Sequence, residues 1–162
     1  MSGENQSLTP SERLAKFEQA VDNYINSKSL NVVGFNLEAA EALNLTTEAL
    51  SKLTSEECLH KSYVLHGYAN YLQDEHNQNI VKLNFALDNI RRIVSVEIDQ
   101  YGKYTKHDIK QQQIINQNPF AEKLETIRKH AQARVDRLQE KIRDVRKMAD
   151  VLTELSKRKA YS

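Results

Sequence analysis

In 162 residues the sequence has one cysteine, no tryptophan, two prolines and four glycines. A lone cysteine, Cys58, closes no internal disulfide, so a fold held by its core alone in a reducing compartment is expected. With so few Pro and Gly, the tight turns of a sheet-rich domain have little to build them, and helices become the default. No apolar run approaches the roughly 20 residues of a membrane span, and the mean hydropathy is −0.66. A soluble, cytoplasmic protein with no membrane association is therefore expected. Met1 to Leu8 has no basic patch leading into an apolar stretch, which argues against a secretory signal. The length fits one domain of ordinary size, with an arm at most.

Motifs that carry chemistry are also missing. There is no Gly-rich phosphate loop, no His-Glu-x-x-His and no Ser or Cys in a recognisable nucleophile setting. Cys58 and His60 are two residues apart and diverge on a helix, and His66 and His76 lack partners three or four residues away. Adjacent Glu56 and Glu57 suit the positive end of a helix dipole. The expectation is a protein without catalytic residues, metal or cofactor, and not an enzyme.

What is present is charge, unevenly spread. Residues 1–100 carry 8 Lys and Arg against 14 Asp and Glu, a net of −6, and residues 101–162 carry 15 against 8, a net of +7. Such asymmetry suits a polyanion partner at the basic end, or attraction between subunits.

Helix signals are equally clear. Thr9-Pro10-Ser11-Glu12 reads as cap, first-turn proline and capping carboxylate, followed by Leu14, Phe17, Val21, Tyr24 and Ile25 at helical spacing to Ser27. The pattern breaks over Ser27 to Gly34; short helices are then expected over Leu37 to Leu43, after Asn36, and over Thr47 to Leu53. Thr54-Ser55-Glu56-Glu57 is a second capping box that opens a very long helix, since no Pro follows before Pro119. Its second half offers a seam of Ile80, Leu83, Leu87, Ile90, Val94, Ile98 and Tyr101; its first half offers Leu65, Tyr68 and Leu72, with Glu75, His76 and Asn79 weakening the line between. Gly102 to Asn118 reads as a connector with a helical turn at Asp108 to Ile115. Asn118-Pro119 opens the last helix, with a seam of Phe120, Leu124, Ile127, Ala131, Val135, Leu138, Ile142, Val145, Ala149 and Leu152 and one four-residue slip at Ala131 to Val135. The fold class is all-α: a long antiparallel, coiled-coil-like hairpin over 55–162 with its tip near 102–118, preceded by a small cap of short helices over 1–54.

Ala39 to Leu53 has the outline of a helix-turn-helix, but residues 1–60 hold 4 basic and 9 acidic side chains, the wrong balance for a DNA major-groove reader. Structural packing is expected of it. The stretch from Ile98 to Lys110 is richer. Lys103, Lys106 and Lys110 offer cations for phosphates, Tyr104 and Tyr101 offer aromatic faces, and Arg91 and Arg92 lie on the helix just before. That combination holds single strands without sequence preference. Lys157-Arg158-Lys159 suits a helix C-terminus.

The long helix ending in Asp99-x-Tyr101-Gly102-Lys103, the Lys106-x-Asp108-Ile109-Lys110 segment and a closing helix ending in Lys157-Arg158-Lys159 resemble the recombination mediators of T-even-type phages, the UvsY family, over roughly residues 46–160. The resemblance implies a ring-forming homo-oligomer that binds single-stranded DNA and helps load the phage recombinase onto DNA covered by single-strand-binding protein, in the host cytoplasm. Where the family carries a Lys and an Arg, this chain has Ser95 and Glu97, which moves the DNA-binding cations to Arg91, Arg92 and Lys103. The nucleic-acid-binding residues expected are Arg91, Arg92, Lys103, Tyr104, Lys106 and Lys110. The competing expectation is a helical virion or scaffold component acting only through protein contacts.

Overall fold

A computed structural model describes residues 9–27 and 36–161. Two compact units are present, residues 1–32 and 33–162. The first contains α1 (Pro10–Ser27). Its start is the capping box expected at Thr9: the Thr9 amide donates to Glu12 Oε2 at 2.8 Å and the Glu12 amide to Thr9 Oγ1 at 3.3 Å. Leu14 and Tyr24 of the α1 stripe are exposed; the side chains of Phe17, Val21 and Ile25, and the break over 28–34, lie outside the described residues.

The second unit holds α2 (Leu37–Leu43), α3 (Thr47–Lys52), α4 (Ser55–Glu97), a 3-10 turn (Ile98–Gln100), α5 (His107–Gln117) and α6 (Pro119–Ala160). Each start has its chemical cause. Asn36 Oδ1 accepts from the Ala39 amide and Thr46 Oγ1 from the Ala49 amide. Thr54 and Glu57 exchange the two bonds of a capping box, and Asn118 Oδ1 accepts from the Phe120 and Ala121 amides with Pro119 at the first helical position. Each such cap is worth about 1 kcal/mol. Two helices of over forty residues follow from two strong starts and no breaker.

α4 and α6 pack antiparallel along their length. The buried positions of α4 are Cys58, Ser62, Leu65, Ala69, Leu72, Asn79, Leu83, Ala86, Ile90 and Val94. Those of α6 are Ala121, Leu124, Ala131, Val135, Leu138, Ile142, Val145, Ala149, Leu152 and Ser156. Both lines step by threes and fours as a heptad seam does, with His76 filling the vacant slot of α4 and Arg128 that of α6. The expected slip at Ala131 therefore does not occur. Phe120 and Ile127, expected in the seam, are 58% and 43% exposed, and Ile80, Leu87, Ile98 and Tyr101 are only half-buried.

Two hydrophobic clusters result. At the base of the hairpin, Cys58, Leu65, Ala69 and Leu72 meet Leu138, Ile142, Val145, Ala149 and Leu152, and Ala39 and Ala42 of α2 enter the same core. Near the tip, Ile90 and Val94 meet Ile114 and Ile115 of α5 and Ala121 and Leu124 of α6. Between them lies a waist that joins neither cluster.

Small seam residues let the backbones approach at the base. Ser55 Oγ donates to the Ser156 carbonyl and Ser156 Oγ to the Ser55 carbonyl, both at 2.8 Å. Ser62 Oγ donates to the Ala149 carbonyl at 2.9 Å. Lys159 Nζ donates to the carbonyls of Leu50, Ser51 and Leu53 at 2.5–3.1 Å. The terminal lysine thus satisfies the negative end of α3, rather than the helix that carries it. The helix-turn-helix outline resolves as expected of packing: α2 buries its alanines against the base, and α3 ends on Lys159.

Candidate nucleic-acid interface

The tip is built by three local events. α4 tightens into the 3-10 turn, Tyr101 adopts extended backbone, and the Thr105 amide donates to the Gly102 carbonyl at 3.1 Å to reverse the chain. Tyr101 Oη then donates to Gln117 Oε1 at 2.8 Å, tying the turn to the end of α5. Tyr101 is therefore a strut. α5 is a full helix where only a turn at Asp108 to Ile115 is expected, because Ile114 and Ile115 bury against Ile90, Val94 and Leu124.

Lys103, Tyr104 and Lys106 stand together on this turn, all exposed, with the Tyr104 ring free of cover. Lys110 sits in the first turns of α5, half-buried. None of the three lysines forms an ion pair among the described residues. Arg91 and Arg92 are exposed on α4, with about 7.5 Å of helix between Arg92 and the end of α4. Arg91 Nη1 lies 3.5 Å from Asp88 Oδ1, so its charge is partly answered already, whereas Arg92 has no ion pair among the described residues. The six residues thus fall into a cluster on the turn and a pair on the helix flank.

Glu97, an anion beside the path, is half-buried, and its Oε1 accepts from Asn118 Nδ2 at 3.4 Å. It is turned toward the α5–α6 junction.

Comparison with protein-family models, curated proteins and solved structures yields no match.

Histidines and the cysteine sit apart. Cys58 is buried in the base core, while His60 points outward with Nε2 2.8 Å from Glu38, and His66 Nε2 lies 3.9 Å from Asp150. Among the described residues no helix is long and apolar enough to cross a membrane.

α6 adds cations that the motif reading passed over. Lys123, Arg134, Arg137 and Lys141, with Ile127 and His130 between them, recur by fours and threes, so they share a face beside the seam. No carboxylate interrupts that line until Asp144. The signal was available as spacing, hidden because it needs the seam phase to be known first. Glu125 and Arg128 form a bidentate pair at 2.7 and 2.8 Å on the seam edge. That hydrogen bond holds the Glu125 carboxyl below its ordinary range and the Arg128 guanidinium above its own.

Proposed function

We propose that the protein is a non-enzymatic accessory protein of DNA recombination that holds single-stranded DNA on the tip of its hairpin. Lys103, Lys106, Lys110 and Arg92 neutralise phosphates and Tyr104 stacks on a base, with Arg91 in reserve behind Asp88. The observation that carries this reading is the pairing of a fully exposed tyrosine with lysines that have no carboxylate partner among the described residues. The resemblance to phage recombination mediators adds the partners, a recombinase and single-strand-binding protein, and a cytoplasmic homo-oligomer as the working form. Exposed Val81 and Phe85, 69% and 57% accessible on one face of α4, support self-association through the outer side of the hairpin.

A titration with oligothymidylate at several salt concentrations tests the reading. Binding weakens with salt by a slope of about 0.7 per phosphate contact. Lys103→Ala with Lys106→Ala lowers the slope by about one to two units, and Tyr104→Ala costs about 1 to 3 kcal/mol with the slope little changed. Absence of binding at low salt favours the second reading, an assembly protein working only through protein contacts, which the exposed Val81 and Phe85 also suit.

A further inference from the structure

The α4–α6 seam has two flanks, and each is covered over part of its length. Gln73 and Val94 lie three heptads apart on α4, as do Glu125 and Arg146 on α6. Arg146 Nη2 donates to Gln73 Oε1 at 3.4 Å, so these two heptad lines border the same flank. α5 closes that flank at the tip, where Ile114 and Ile115 pack with Val94 and Leu124. On the opposite flank, seven-residue steps lead from Tyr68 through Lys82 and Asn89 to Val96 on α4, and from Met148 through Lys141, Arg134 and Ile127 to Phe120 on α6. α2 closes this one at the base: Tyr68 and Met148 pack on the cluster that holds Ala39 and Ala42, and Tyr68 shares a groove with Asn36 and Glu38. α2 ends after seven residues. Within this unit no described element continues it toward the tip, and Val96, Phe120 and Ile127 stand exposed there.

The open part of this flank carries charge of one sign. The residues four before each step border the two lines on their solvent side: Gln78, Phe85 and Arg92 on α4, and Lys123, His130 and Arg137 on α6. No carboxylate falls on either line or its border before Glu75 and Asp144, at the waist. Lys82, Lys123, Arg137 and Lys141 form no ion pair among the described residues. From Val96 back to Glu75 this surface runs about 32 Å along α4, six turns of helix. An amphipathic helix with an apolar stripe flanked by carboxylates meets both of its features, the stripe on Val96, Phe120 and Ile127 and the carboxylates on the lysines and Arg137. A nucleic-acid strand would meet the cations alone, since Val96 and Ile127 offer a base no ring to stack on.

We propose that this flank docks an acidic amphipathic helix of a partner protein, beyond the stretch that α2 covers and apart from the strand path at the tip. Only Arg92 is common to the two surfaces. The probe is a labelled peptide of three Leu-Glu-Glu-Leu-Ala-Glu-Glu heptads, followed by fluorescence anisotropy as the full chain is added at low salt. Binding is saturable and weakens as salt screens the charges, and a peptide of the same composition in scrambled order binds about tenfold more weakly or less. Phe120→Ser with Ile127→Ser weakens binding about tenfold or more, and so does Lys123→Glu with Arg137→Glu. The melting temperature is little changed in both, because all four side chains are exposed. Lys103→Ala with Lys106→Ala leaves peptide binding intact while weakening oligothymidylate, which separates a failure of the strand reading from a failure of this one. No saturable binding, equal binding of the scrambled peptide, or full affinity in Phe120→Ser/Ile127→Ser overturns the proposal. If the peptide does not bind and Lys123→Glu/Arg137→Glu loses oligothymidylate instead, the flank is a second strand path. If the peptide does not bind and Phe120→Ser/Ile127→Ser sediments as a smaller species than wild type, the flank is a contact between copies of this chain.

Discussion

At the base of the hairpin α4 and α6 meet through Ser62, Ala69, Ala149 and Ser156, and α2 adds its alanines to the core; near the tip they meet through Ile90, Val94 and Leu124, with α5 packed on them. The base spends its hydroxyls and its terminal lysine inward, on carbonyls of the opposing helix and of α3. The tip half leaves Phe120, Ile127 and Tyr104 to solvent, with Lys103, Lys106 and Lys110 in no ion pair among the described residues. Two ends of one coiled hairpin thus divide by how they are held: the base by hydroxyl and ammonium donors to carbonyls, the tip by apolar packing under α5.

Core truncation separates the ends most strongly. Leu65→Ala removes a fully buried side chain from the larger cluster and is expected to cost about 3 to 5 kcal/mol; Leu124→Ala, in the smaller cluster that α5 closes, is expected to cost about 2 to 3. Denaturant melts of both variants check the order, and equal costs would erase the proposed division.

The waist gives the next largest effect, of opposite sign. Asn79 is 4% exposed; its Nδ2 donates to the Glu75 carbonyl at 2.8 Å while its Oδ1 is buried without a partner. Asn79→Leu joins the two clusters and is expected to stabilise the chain by about 1 to 3 kcal/mol. Hydrogen exchange then reports one opening unit, where the wild type reports separate openings for base and tip.

Lys159→Ala comes third. It strips three carbonyls near the end of α3 of their donor, at an expected cost of about 1 to 2 kcal/mol. Exchange of amides in α2 and α3 rises while that of α5 is unmoved. A rise in both would mean that the lysine braces the whole hairpin.

The smallest effect is electrostatic. Glu125 is held below its ordinary range by the Arg128 hydrogen bond, then by the charges of Arg128 and Lys129. A lowered carboxyl contributes stability that is fully present above its unfolded value, about 4.3, and is lost as pH falls through the folded one. Glu125→Gln therefore costs under about 1 kcal/mol at neutral pH, given its partly solvated setting. The difference from wild type vanishes in acid.

Much of this architecture was legible in the sequence because caps are local. Asn36, Thr46, Thr54 and Asn118-Pro119 each announce a helix within four residues. The seam phase was not local. Choosing the apolar residue at every step selects Ile127 over Arg128 and Ile80 over Asn79, yet backbone continuity between well-packed ends overrides single positions and puts the polar neighbour inside. α5 was hard to see for the opposite reason: Gln111, Gln112 and Gln113 give it no apolar period, and only Ile114 and Ile115 anchor it. At the candidate site, residue type marked the lysines and Tyr104. Geometry alone paired Arg91 with Asp88 and turned Glu97 toward Asn118.

The clasp at the base has a consequence for how the chain folds. Tyr101 and Gln117, which brace the tip, are 16 residues apart, whereas Ser55 and Ser156 are 101 apart. Closing the shorter loop loses less chain entropy and happens sooner, so pairing starts at the tip and runs toward the base. The firmest contacts form last. Stopped-flow kinetics should then show Leu124→Ala slowing folding and Leu65→Ala chiefly speeding unfolding. On the ribosome, α3 waits for Lys159, 108 residues after Ser51, before its carbonyls are answered, so the part of the molecule made early is the part completed by the residues made late.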